Sequence, residues 1–184
     1  MTKDQTLISL VITTIINAFL IVYLSKKKSK NQLNKVFICA LSLLILWSIG
    51  LIAQITLSGP LNIEPIYFDY FVYIGACLVP VAVFFMGLIY ANTKIEFKKR
   101  YLLLFIIPII SLIVLWTNDY HHLFYEHYSV DFQTNVYGPY ATIHNIYSYV
   151  LLALGIIYML KFSIKNSGFF SKQSLLIVLG VSVP

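Results

Sequence analysis

The chain has 184 residues, 59% of them hydrophobic and only 11% charged, whereas about a quarter of a soluble domain is charged. That balance excludes a water-soluble globular domain and calls for an apolar solvent. The net charge of +6 does not point to nucleic acid: the basic residues sit in short clusters at the ends of apolar runs, where membrane topology explains them.

Leu7 to Leu24 is an apolar run close to the roughly 20 residues needed to cross a bilayer core. Lys26, Lys27, Lys28 and Lys30 follow it directly, where a cleaved signal would carry small residues, so it reads as an uncleaved first span with its N-terminus outside. Val36 to Leu57 is the second span, closed by Ser58, Gly59 and Pro60. Tyr67 to Tyr90 is the third, with an internal Pro80, and Tyr101 to Thr117 the fourth, with Pro108. Each proline lacks the backbone donor a helix uses, so a bend or local unwinding is expected at both. Asn118 to Pro139 is the longest polar segment. Tyr140 to Phe162 forms a fifth span, and Leu175 opens a sixth run that reaches Pro184 after about half a span, so the chain is expected to be unfinished.

The expected fold class is therefore all-α: a polytopic transmembrane helical bundle, five full spans plus part of a sixth, forming one domain over residues 1–184. With the first loop inside, Lys26 to Lys35, Lys94 to Arg100 and Lys161 to Lys172 all face the cytoplasm, and every basic residue but Lys3 obeys the positive-inside rule. All acidic residues but Glu96 fall on the outer side or just below it. Cys39 and Cys77 lie in different spans at different depths, as packing residues rather than a disulfide.

No phosphate-binding glycine loop, Cys-x-x-Cys pair, serine nucleophile elbow or zinc-protease helix motif is present, so these residues offer catalysis nothing to stand on. No cofactor is expected. Polarity does recur at one level: Gln54 near the outer end of the second span, Asp69 at that of the third, Thr117 and Asn118 ending the fourth, and His144 near the start of the fifth. Polar groups at membrane depth face a bundle interior and mark either a ligand site or interhelical hydrogen bonding. Asn17, alone in the first span, reads as a packing hydrogen bond. The histidines His121, His122, His127 and His144 fit no stereotyped zinc spacing, and an ordered outer cap explains them better than a metal. Tyr120, Phe124, Tyr125, Tyr128, Tyr137, Tyr140, Tyr147 and Tyr149 crowd the same boundary and read mostly as an aromatic belt. Asn118 and His121 are expected to satisfy the carbonyls ending the fourth helix, with His121 bridging to His144 or Tyr147.

At Trp116 to Phe124 the sequence reads W-T-N-D-Y-H-H-L-F. Thr117, Asn118, His121, Leu123 and Phe124, then Gly138 and Pro139, His144, and the run Tyr147, Ser148, Tyr149, resemble the N-terminal seven-helix sensor region of bacterial histidine kinases. The resemblance extends to Gln173, Gly180 and Pro184. It implies a multi-pass sensor in a bacterial cell membrane, an outside N-terminus and a cytoplasmic output domain, usually a kinase and sometimes a diguanylate cyclase. The candidate ligand-binding residues are then Gln54, Asp69, Thr117, Asn118, His121, His144 and Tyr147, and the partners are the lipid bilayer, an unidentified small-molecule or lipid ligand, the output domain and possible homodimerisation, with no nucleic acid. The rival is a small multi-pass membrane transporter subunit, disfavoured because the midplane is nearly devoid of ionisable groups while polar residues collect outside.

Overall fold

The computed structural model describes residues 3–27, 31–92, 95–96, 98–129 and 134–165. The sixth run expected from Leu175, together with Gln173, Gly180, Pro184, Lys28, Lys30, Lys94, Asp131 and Lys172, lies outside the described residues. Five helical segments within them are long and apolar enough to cross a membrane. They are α1 (Lys3–Lys26), α2 (Gln32–Leu57), α3 (Ile66–Asn92), a fourth built from 3-10 turns (Lys99–Phe105) continuing into α4 (Ile106–Trp116), and, after the short helix α5 (Asn118–His121), the long α6 (Pro139–Lys165). The polytopic helical bundle holds, with helix ends a turn or less beyond most of the apolar runs.

Helix α3 is the hub, because most of its apolar window is buried while α1 is almost wholly exposed. It packs on α2 along one side and on α6 along another, and α4 closes against both α3 and α6. Val81, Phe85, Leu88 and Ile89 of α3 form a core with Leu151 of α6 and the loop residue Ile95. In lipid no hydrophobic drive separates helix from solvent, so close backbone approach has to supply the packing. Gly87 and Gly155 provide it: a Cβ on Gly87 would come within 2.4 Å of the Gly155 carbonyl oxygen. Helix α1 packs on α2, presenting Ile8, Ile12, Ile15 and Phe19 outward. Asn17 is buried there, but its amide nitrogen finds no acceptor among the described residues. For that nitrogen, the expected packing hydrogen bond is therefore not made.

Near Pro108, where a bend or local unwinding is expected, the fourth span changes its winding. Pro108 falls in the first turn of α4, directly after the 3-10 segment, so the winding changes just before the proline. A first-turn N–H has no intrahelical acceptor in an isolated helix, which is why proline is tolerated there. Pro80 lies inside α3, which stays helical from Ile66 to Asn92. On the lysine-rich side, the Gln32 side chain clamps the backbone of Ile95, donating to its carbonyl and accepting from its N–H, each at 2.9 Å.

Within the polar segment, the described residues 118–129 and 134–139 form a cap. The single turn of α5 is ended by His122 in the left-handed region at φ 52°. Strands β1 (Tyr125–His127) and β2 (Val136–Tyr137) then pair antiparallel, the one departure from an all-helical reading among the described residues. Gly138 and Pro139 return the chain to the bundle. The Gly138 N–H donates to the Phe124 carbonyl at 2.8 Å, and a Cβ on Gly138 would meet the Leu123 carbonyl oxygen at 2.3 Å, so no side chain fits. Pro139 opens α6, where its fixed φ suits the first helical position.

Candidate functional site

Two polar assemblies meet under the cap. The first is organised by Asp69, in the first turn of α3 and only 2% exposed. Gln54 of α2 donates to its Oδ1 at 2.9 Å and lies 2.8 Å from the Tyr128 hydroxyl. The Tyr125 hydroxyl reaches Asp69 Oδ2 at 3.4 Å and the Tyr73 hydroxyl at 2.9 Å. A buried carboxylate is costly unless it is hydrogen-bonded or paired, and three neighbouring side chains meet part of that cost here. All of them are neutral: among the described residues no lysine or arginine pairs with Asp69. Burial pushes the Tyr125 and Tyr128 phenols well above their ordinary value, so both remain proton donors.

The second assembly joins α4 to α6. The Ser111 hydroxyl donates to the Ile107 carbonyl at 2.7 Å, which leaves its oxygen to accept from His144 Nδ1 at 3.0 Å. With Nδ1 as the donor, the neutral ring presents Nε2 as an acceptor. His144 is 4% exposed. The Tyr73 ring stands between the assemblies, its centroid 6.2 Å from that of His144 and 6.4 Å from that of Tyr125.

Both assemblies open on one cavity of about 350 Å³ between α2, α3 and α6, inside the size range of small-molecule sites. Trp47, Leu51, Val72 and Leu152 give it apolar walls; Asp69, Tyr73, His144, Asn145 and Ser148 give it polar groups. His144 and Ser148 stand four residues apart on one helix face. The Ser148 hydroxyl is buried and has no hydrogen-bond partner among the described residues.

The remaining sequence-derived candidates engage the cap and the helix ends. Asn118 accepts from the N–H groups of Phe124 and Tyr125, at 2.9 and 3.0 Å, and donates to the Tyr125 carbonyl at 3.0 Å. Thr117 donates back to the Ile113 carbonyl at 2.7 Å, and His121 Nε2 lies 3.0 Å from the Thr117 hydroxyl while its Nδ1 accepts from the Leu123 N–H. With both ring nitrogens so engaged, His121 makes no bridge to His144 or Tyr147, which corrects the expected contact. The Tyr147 hydroxyl donates to the Leu104 carbonyl.

A family model described as the N-terminal 7TM region of histidine kinase matches residues 9–184. The chain belongs to that family. No curated protein and no solved structure matches it. Membership in a histidine kinase 7TM region makes this a multi-pass membrane protein, in keeping with its five candidate spans.

Within this 7TM region, sequence reasoning found Gln54, Asp69 and His144 but missed their partners. Tyr125 and Phe124 are 1% exposed and form the centre of the cap's core with Leu115 and Ala141, not part of a belt. Tyr120 and Tyr149, by contrast, are 87% and 71% exposed. Ser111 carried no signal in a sequence where serine is a common helix residue, and Ser148 entered only as part of the Tyr147, Ser148, Tyr149 run.

Proposed function

We propose that this chain is the signal-input part of a membrane sensor kinase, and that an extracellular or membrane-borne ligand acts at the cavity between α2, α3 and α6. The observation that carries the reading is that Asp69 and His144, both buried and on different helices, line one largely apolar cavity towards the cap end of the bundle. A cavity of this kind, with few convergent polar groups, is the default site for a small molecule. Gln54, Tyr125 and Tyr128 hold Asp69 in place from α2 and the cap, and Thr117, Asn118 and His121 hold the cap.

The geometry suits a lever. Helices α3 and α6 touch backbone to backbone at Gly87 and Gly155, nearer the lysine-rich side, and part around the cavity nearer the cap. A ligand that prefers one separation of the outer ends biases the tilt of α6 about that contact. This is a population shift between two packings, and it needs only differential affinity for them. The output is a cytoplasmic kinase domain. A transporter would place its titratable groups at the midplane, whereas Asp69 and His144 both lie within two turns of the outer helix ends.

The test is autophosphorylation of the full-length kinase in membrane vesicles, comparing wild type with Ala76→Phe, which fills the cavity. A shift of about 1.4 kcal/mol in a two-state balance changes a population ratio about tenfold. A severalfold or larger change in rate is expected. An unchanged rate, in a protein shown by its melting temperature to be folded, contradicts the reading.

A further inference from the structure

The cavity's unmet chemistry specifies a ligand class, an inference that rests on the cavity being the input site. Three groups are left over after the protein's own hydrogen bonds. Asp69 is a buried carboxylate served only by neutral donors, with no cation paired to it among the described residues. His144 spends Nδ1 on Ser111 and keeps Nε2 as a lone-pair acceptor. The buried Ser148 hydroxyl has no partner among the described residues, and it stands one turn from His144 on the same face of α6. A negative charge and a surplus of acceptors call for a positively charged donor, and an anion there would face Asp69 across a medium of low dielectric.

The surroundings narrow the class. Tyr73 and Trp47 line the same cavity, and aromatic faces attract cations. Leu51, Val72 and Leu152 favour an apolar body over a hydrated metal ion. Glu64 before α3, Asp119 in α5 and Glu126 in β1 are exposed carboxylates at the cap end of the bundle, and such charges concentrate cations and repel anions. We infer that the cavity takes a small amphipathic organic ammonium, its charged nitrogen against Asp69, with His144 Nε2 and the Ser148 hydroxyl as further polar groups along the α6 wall, and its apolar body against Trp47, Leu51 and Leu152.

The experiment uses three probes with one hydrocarbon body and different heads: 2-phenylethylammonium, 2-phenylethanol and phenylacetate. They are titrated against the full chain in nanodiscs, in a Trp116→Phe background so that Trp47, in the cavity wall, reports by fluorescence. The ammonium is expected to give a saturable signal, the alcohol to bind at least tenfold more weakly, and phenylacetate to give none. Asp69→Asn, which keeps the shape of the side chain, is expected to erase the preference for the ammonium over the alcohol. Ser148→Ala is a second variant that removes one hydroxyl without disturbing a bond the protein makes; it is expected to weaken the ammonium severalfold at unchanged melting temperature. If the alcohol or phenylacetate binds as tightly as the ammonium, and Ala76→Phe abolishes that binding, the cavity stands as a site and the ammonium class is overturned. If no probe gives a saturable signal, or all signals survive Ala76→Phe, the input cavity itself fails and the ligand class fails with it.

Discussion

The hydroxyl of Tyr147 on α6 donates to the carbonyl of Leu104, the oxygen that an α-helix would pair with the N–H of residue 108 and that Pro108 leaves without that donor. A tyrosine from a neighbouring helix thus supplies a donor to this carbonyl where residue 108 has none to offer. Tyr147→Phe is expected to leave that carbonyl unpaired and to cost about 1 to 3 kcal/mol. Pro108→Ala restores a donor, so Tyr147→Phe should cost less in that background. A double-mutant cycle of unfolding in detergent checks this; equal costs in both backgrounds would show that the two residues are not coupled.

Asn118 uses its carbonyl oxygen for two backbone N–H groups and its amide for one backbone carbonyl, all in the segment that starts β1. Asn118→Ala strands three buried backbone groups and is expected to cost at least about 1 to 3 kcal/mol and to loosen the cap. Asn118→Asp keeps the acceptor and loses only the donor, so it should fall between. Thermal melts of the three proteins give the order, and an alanine variant as stable as wild type would remove Asn118 from this role.

The buried phenols of the cap make its stability depend on alkaline pH. Burial first, and then neighbouring groups that include Asp69, raise the Tyr125 and Tyr128 pKa values above the ordinary 10.0. The folded cap therefore keeps protons that the unfolded chain releases. The stabilisation is complete below about pH 10 and is lost as pH climbs towards the folded values. Melting temperatures measured from about pH 8 to 11 should fall across the upper part of that range. Tyr125→Phe and Tyr128→Phe should each flatten the fall, and a slope unchanged in both variants would contradict the assignment.

The reach of each signal decides which features were legible in the sequence. Apolar runs and lysine clusters are local, so the spans could be placed from Leu7 to Phe162 without any contact information. The polar level formed by Gln54, Asp69 and His144 was visible because such residues are expensive inside a membrane. Tyr128 was not, because it meets Gln54 across 74 positions, and a tyrosine at an interface looks the same whether it faces lipid or a carboxylate. The form of the change at Pro108 was not legible for a related reason: it depends on where the α-helix starts, and the 3-10 turns ahead of it moved that start to Ile106. Thr117, Asn118 and His121 were recognisable as a group, but their bonds to the cap backbone depend on the hairpin beyond them.

We propose, from the lysine pattern of the loops, that the bundle faces its cap and its polar cavity outward. Single cysteines at Glu126 in β1 and at Glu96 in the loop after α3, both exposed positions, are introduced with Cys39 and Cys77 replaced, and intact cells are treated with a membrane-impermeant thiol reagent. The positive-inside pattern predicts labelling at position 126 and protection at position 96 until the cells are opened. Labelling at 96 with protection at 126 would invert the bundle and place the cavity on the cytoplasmic side.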